Sequence, residues 1–336
     1  MIRSFVSHCA FLITSLLTGL LFSCQPNSCR PAPDVSDSKV DISFVRWDEA
    51  LFEAQSTQDI ENLLQQYPDF TQQYLHLADY PNDSALAAQY YQLISNPSID
   101  TLYRQTQETF GNLSALREEF EEAFQLIKHY YPDFTAPTIY TTFTGLGTMG
   151  DDLLVSDSLI VISLDFFVGP EAGYRPQTHD YILRRYRPPF IVPSCLLLLS
   201  NKYNVTDLGD QSLLAEMIYY GKSYYFVQQM MPCLPDSTLF GYTSTQATLV
   251  DENRKLIWSH FVDNELLFKQ DQTTKTRYLG DRPSTVEING KIPGQVGRWL
   301  GRQIVQAYAT KTDVPFPQLM QDARAQDIFR QAAYRP

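Results

Sequence analysis

The strongest constraint on this chain is an apolar run, Phe5 to Phe22, that follows Met1-Ile2-Arg3 and ends at a cysteine. Ser7, His8, Cys9, Thr14, Ser15, Thr18 and Gly19 interrupt it, but no Asp, Glu, Lys or Arg does. A basic start followed by such a run is the layout of a secretory signal. The run is about as long as the shortest membrane spans, so its end decides between an anchor and a cleaved leader. Leu21-Phe22-Ser23-Cys24 places leucine three residues before the cysteine and a small residue directly before it. That is the arrangement signal peptidase II cuts, leaving the Cys24 thiol to carry diacylglycerol. Each buried acyl CH₂ contributes about 0.8 kcal/mol, so a multiply acylated cysteine holds a protein on a membrane. Residues 1–23 therefore read as a lipoprotein signal peptide and Cys24 as the lipidation site.

Residues 24–39 are rich in Pro, Ser and Asp and poor in large apolar side chains. Such a segment buries too little surface to fold and reads as a flexible tether. Gln25, rather than aspartate, follows the lipidated cysteine, and no acidic run comes after it. This favours the periplasmic face of the outer membrane over the inner membrane. Residues 40–336 suffice for one large globular domain. With 44% hydrophobic and 13% aromatic residues, a sizeable core is available. The formal charge of −12 excludes a nucleic-acid partner held by its phosphates. Of five cysteines, Cys9 leaves with the signal and Cys24 takes lipid. Cys29, Cys195 and Cys233 are too few for a disulfide framework and form no C-x-x-C pair.

Val40 to Trp47 alternates polar and apolar residues and reads as a strand. From Asp48 to about Phe110 the pattern is helical, with Leu63, Leu64, Tyr67, Phe70 and Tyr74 at helical spacing and breaks at Pro68 and Pro81. A further helix spans about Leu113 to Tyr130. Strands are predicted at 138–143, 153–155 and 159–164, forming a small meander. Helices are predicted at about 178–187, 189–201, 211–231, 244–270, 295–309 and 316–332. The order implies an α+β domain, mostly helical with a small β-sheet. Its parts are a helical N-terminal region, 40–110, and a remainder, 111–336.

Motifs with chemistry are few. His76, His129, His179 and His260 are dispersed, and no G-x-S-x-G, Walker or G-x-G-x-x-G sequence occurs. Glu118 and Glu122 lie one turn apart in a run of glutamates that reads as a solvated face. No catalytic residue, cofactor or metal site is expected. Two helices stand out. In Leu213 to Phe226, apolar residues occur nearly all round, so the helix should be central. Its charges, Glu216 and Lys222, lie on different faces, about 120° apart around the helix, and each needs its own partner. In Pro293 to Tyr308, Gly297 and Gly301 stack at i, i+4. Each costs up to about 1 kcal/mol in a helix interior, and close approach of another backbone is the expected return.

Several segments together resemble the gliding-motility lipoprotein GldB family of Bacteroidota. They are Phe44-Val45-Arg46-Trp47-Asp48, Tyr67-Pro68-Asp69-Phe70, Leu164-Asp165-Phe166-Phe167-Val168-Gly169, Tyr181 to Pro188, Glu216-Met217-Ile218-Tyr219-Tyr220-Gly221-Lys222, Ile257-Trp258, Pro293-Gly294 to Tyr308, and Ala333-Tyr334-Arg335-Pro336. The resemblance implies an envelope lipoprotein of surface gliding, a motility linked to the type IX secretion system. It also implies a distant likeness to zinc metallopeptidases with H-E-x-x-H on a central helix, hence a degenerate zincin-like architecture. Ala215-Glu216-Met217-Ile218-Tyr219 would hold that motif, keeping the glutamate but not the histidines. A zincin needs both imidazoles to hold the Zn²⁺ that acidifies the attacking water.

The resulting expectation is a non-enzymatic, membrane-anchored envelope component that works through other gliding or secretion proteins. The alternatives are a hydrolase with dispersed ligands and a peptide-binding pseudo-peptidase with Glu216, Tyr219, Tyr220 and Lys222 at its old cleft. Glu216 is expected to pair with a distant arginine such as Arg298 or Arg302, or with a tyrosine hydroxyl. The first test concerns the anchor. Cys24→Ala should lack the lipid mass carried by the mature wild type and leave the membrane fraction. A variant that stays on membranes, beside a wild type with no lipid mass, would make residues 5–22 the anchor instead.

Overall fold

The computed structural model describes Cys29 and residues 32–336; the signal peptide, Cys24 and the first part of the expected tether apart from Cys29 lie outside the described residues. The end of that segment is not free: Val35 and Val40 pack against the main core. Two valines a few residues apart bury enough apolar surface to hold a short stretch that composition marks as tether. Cys29 and Cys233 each take part in a disulfide, and Cys195 is a free, buried thiol.

A four-stranded mixed sheet separates two hydrophobic clusters. Strands β1 (Phe44–Arg46), β2 (Thr138–Thr142), β3 (Leu153–Val155) and β4 (Leu159–Ser163) lie in the order β1-β2-β4-β3. The first three in that order run parallel, and β3 is antiparallel to β4 at the edge. The sheet is therefore not a meander. The predicted strand Val40–Trp47 shortens to three residues because Trp47 already opens a helix. Side chains of β2 and β4 alternate between the clusters: Tyr140, Leu159 and Val161 face one, Ile139, Ile160 and Ile162 the other.

The first cluster belongs to α1 (Trp47–Glu53), α2 (Thr57–Gln66), α3 (Pro68–Gln73) and α4 (Asp83–Ile94). Each start follows from local chemistry. Ser56 and Asn82 cap α2 and α4 by accepting backbone N–H bonds from Asp59 and Ala85, and Pro68 occupies a first-turn position that needs no donor. Fully buried Trp47 sits 5.1 Å from both the Phe70 and Tyr90 rings. Helices α5 (Pro97–Phe110) and α6 (Ser114–Tyr130) complete the crossover to β2. Phe120, Phe124 and Ile127 of α6 enter the second cluster.

That second, larger cluster draws on the remaining helices, the first and shortest of them excepted. They are α7 (Asp180–Leu183), α8 (Ile191–Leu199), α9 (Leu213–Met230), α10 (Asp236–Phe240), α11 (Ser244–Glu252), α12 (Arg254–Asp263), α13 (Gln272–Leu279), α14 (Val296–Thr312), α15 (Phe316–Gln321) and α16 (Ala325–Ala332). Two predicted long helices are broken. Residues 244–270 divide into α11 and α12, followed by a loop through Glu265 in the left-handed region. Residues 316–332 divide at Asp322, which accepts the backbone N–H of Arg324 at 3.0 Å. Local side-chain capping competes with helix continuation at such points.

Helix α9 is central, as its apolar circumference requires. The Ser212 hydroxyl caps it through Ala215 N–H, and the Leu213 and Leu214 amides donate to Lys269 and Leu267 carbonyls at 2.7 and 2.8 Å. It crosses α14 at glycine. A Cβ on Gly221 would lie 2.5 Å from the Gly301 carbonyl, and a Cβ on Gly301 would overlap the Met217 carbonyl. Gly297 is crowded by Leu279 and the Tyr278 carbonyl, each 3.0 Å from a would-be Cβ. Gly301→Ala should therefore force the helices apart and cost about 1–3 kcal/mol through overpacking. Urea denaturation measures it; an unchanged midpoint would show that the two backbones separate without penalty.

Candidate functional site

The sequence directs attention to the outer turns of α9. Ala215 is buried and Tyr219, one turn on, donates its hydroxyl to Asn201 Oδ1 at 2.7 Å. Glu216 lies in the first turn, where the helix dipole favours a carboxylate. Its side chain is 38% exposed and pairs at 2.5 Å with Lys275 of α13, which is almost wholly buried. The expected arginines are engaged elsewhere. The Arg298 guanidinium lies over the Tyr220 ring, 4.2 Å from its centroid. Arg302 pairs with Asp236 and donates to Gln306 at 2.7 Å. The lysine lies in a segment with no distinguishing pattern, so only the packing of α13 against α9 brings it to Glu216.

Lys222 is the other charge on α9, and it is a structural clip. Its ammonium donates to the Val205, Met320 and Asp322 carbonyls at 2.5, 3.2 and 2.9 Å. Three donors meet three acceptors, which satisfies the buried group and ties α9 to the end of α15 and to the chain entering α9. Burial pulls its pKa down to about 8, against the opposing pull of the Asp322 carboxylate. Ala215, Glu216, Tyr219, Tyr220 and Lys222 thus do not converge on a single cleft. The histidines are also apart: His260 hydrogen-bonds Tyr278 at 2.7 Å, while His179 stacks on Tyr181. Among the described residues no three His, Cys, Asp or Glu side chains gather as a metal site would require.

Two features escaped the sequence reading. Asp165 is fully buried beyond the end of β4 and accepts from Thr144 N–H at 3.1 Å, the Thr144 hydroxyl at 3.2 Å and Leu146 N–H at 2.6 Å. Burial pushes its carboxyl up to about 6 although these bonds oppose the shift. Its bonds fix the loop Gly145-Leu146-Gly147, whose three residues all have positive φ. The glycines there and the Leu164-Asp165-Phe166-Phe167 segment were visible signals, but nothing in the sequence joins them. The second feature is a groove of about 450 Å³ beside β3, bordered by Asp152 and Leu153 on the strand side and by Phe167, Ser194, Leu197 and Leu198 opposite. A larger groove, about 630 Å³, lies among Trp258, Phe261, Phe268 and Phe329 and is mostly apolar.

The fold, the split charges of α9 and the absence of a converging ligand set leave the family as the guide to function. A family model described as gliding motility protein GldB matches residues 28–336. The chain belongs to the GldB family. No curated protein and no solved structure matches it. The GldB match covers both clusters, the sheet and the α9–α14 crossing, and the family's name suggests a role in gliding motility. Among the described residues no helix is long and apolar enough to cross a membrane.

Glu216→Gln should cost about 1–3 kcal/mol, because it leaves the buried Lys275 ammonium without its counter-charge while the exposed side of the pair is solvent-screened. Thermal and urea unfolding measure the loss. Wild-type stability in that variant would mean that Lys275 is satisfied without the carboxylate.

Proposed function

We propose that this GldB-family protein is a non-enzymatic component of the gliding apparatus, lipid-anchored at Cys24 on the periplasmic side of the envelope, and that it works by holding other motility or secretion proteins. The family match across residues 28–336 carries the reading. The state of α9 supports the non-enzymatic part. Glu216 stands where a peptidase-like pattern keeps its general base, but Ala215 and Tyr219 stand at the histidine positions and Lys275 takes up the carboxylate. A glutamate held by an ammonium is a poor base for activating water. In this reading the zincin-like likeness is ancestry, and the chain is a pseudo-enzyme.

Deleting the gene in its source bacterium should abolish colony spreading and single-cell surface movement, and a plasmid-borne wild-type copy should restore both. The double variant Glu216→Gln, Lys275→Met removes the pair without orphaning either charge and should restore movement equally. Normal movement in the deletion strain would overturn the gliding role. A folded, membrane-localised double variant that fails to complement would point to chemistry at Glu216.

A further inference from the structure

We propose that the outer edge of β3 takes an extended segment of a partner polypeptide as an added strand, with the segment's side chains resting in the groove above α8. This deepens the proposed role and rests on it: it names the surface and the chemistry of the partner. The argument begins with backbone groups. The pairing of Leu154 with Val161 and the bonds Ser163 N–H to Asp152 O, 3.0 Å, and Ser156 N–H to Leu159 O, 2.9 Å, direct residues 152, 154 and 156 towards β4. Leu153 and Val155 consequently point their backbone groups away from the sheet. The Leu153 N–H is taken by its neighbour's carboxylate, Asp152 Oδ1, at 2.9 Å. The Leu153 carbonyl and both backbone groups of Val155 face outward with no partner among the described residues. Acceptor, donor and acceptor in that spacing are met by an extended chain and by little else.

The groove supplies what an edge alone lacks. Leu153 forms one border, and Ser194, Leu197 and Leu198 of α8 lie at one helical face opposite it. Leu198 is 43% exposed, which is high for a leucine in so apolar a helix. Alternate side chains of an added strand would fall on this floor. At the far side, the Asp152 carboxylate is held by the Tyr186 hydroxyl at 2.9 Å, so the border is rigid.

Charge and sequence choose the occupant. Exposed Asp151 makes no ion pair among the described residues, and Asp157, at the other end of the hairpin, pairs with Lys202 at 2.9 Å. A second copy paired antiparallel, edge to edge, would set Asp151 against an Asp157 whose cation is already engaged, and so would offer Asp151 no counter-charge of its own. The chain's own tether is a poor strand, because Pro31 and Pro33 lack N–H donors and Val35 and Val40 are already packed. A separate segment with apolar residues at alternate positions and a Lys or Arg near Asp151 fits both edge and charge.

The test uses the full-length protein in cells. Val155→Pro removes the outward N–H while leaving the bonds to β4, and Val155→Thr keeps it as a control. Leu198→Asp spoils the groove floor from an exposed position. A photo-crosslinking benzoylphenylalanine at position 198 reports occupancy. Val155→Pro and Leu198→Asp are expected to reduce surface movement about tenfold or more with unchanged melting temperature, and Val155→Pro to remove the discrete crosslinked adduct that Val155→Thr retains. Folded variants that move like wild type, or an adduct indifferent to Val155→Pro, would overturn the proposal. Should Val155→Pro not fold, Leu198→Asp decides alone. Failure here with an immobile deletion strain sinks only the β3 site; a deletion strain that moves normally sinks the gliding role, and the adduct then decides the site.

Discussion

At the α9–α14 crossing Gly221 faces the Gly301 carbonyl and Gly301 faces the Met217 carbonyl, with no room for a side chain on either glycine, and the arrangement around it follows from that approach. Without side chains at the crossing, α9 and α14 lie near enough for Met217, Ile218, Leu300 and Ile304 to be buried on either side. The entropic cost of glycine in a helix is offset by this shared burial. The same closeness fixes what lies at the helix ends. Lys222, one residue beyond the contact, reaches three carbonyls at once, and Gly297 admits the Tyr278 segment of α13. Because α13 is drawn in, Lys275 meets Glu216.

The sheet plays a second, separate role. It is narrow, and its strands carry apolar side chains on both faces, so it serves as a partition rather than a platform. On one side the aromatic group of Trp47, Phe70 and Tyr90 closes a compact N-terminal layer. On the other, Ile139, Ile160 and Ile162 rest against the helices that surround α9. At its edge β3 pairs on one side only, with β4, and Asp152 and Leu153 border open space. The part of the sheet that has no structural duty left is also the part with unmatched backbone groups.

The distribution of charge bears on the proposal of a holding rather than a catalytic role. Each charge on α9 is consumed by a local duty: Glu216 by a buried lysine and Lys222 by carbonyls. Arg298 is stacked on Tyr220, and Arg302 is tied to Asp236. Catalytic sites instead keep a titrating group aimed at open space. The one strongly shifted acid outside this region, Asp165, spends its oxygens on a loop.

Much of this protein was legible in its sequence because the relevant signals are local. The apolar run to Cys24 concerns consecutive residues, which lie outside the described residues, so its reading rests on the sequence alone. The centrality of α9 is visible because apolar residues leave no polar stripe for water, and the glycine spacing of α14 shows because i, i+4 positions share a face. What folding decided involves partners far apart in the chain. The strand Phe44–Arg46 pairs with Ile139 to Thr141, nearly a hundred residues on, which a meander could not anticipate. Glu216 received a lysine rather than an arginine because its side chain meets α13, whereas it is the neighbouring Met217 carbonyl that meets α14. Asp165 found Thr144 beyond the ends of two neighbouring parallel strands, β4 and β2. The groove at β3 exists only where α8 lies beside an edge strand. Periodicity specifies which face of an element is buried, but the identity of the neighbour across that face is set by how all the elements pack at once.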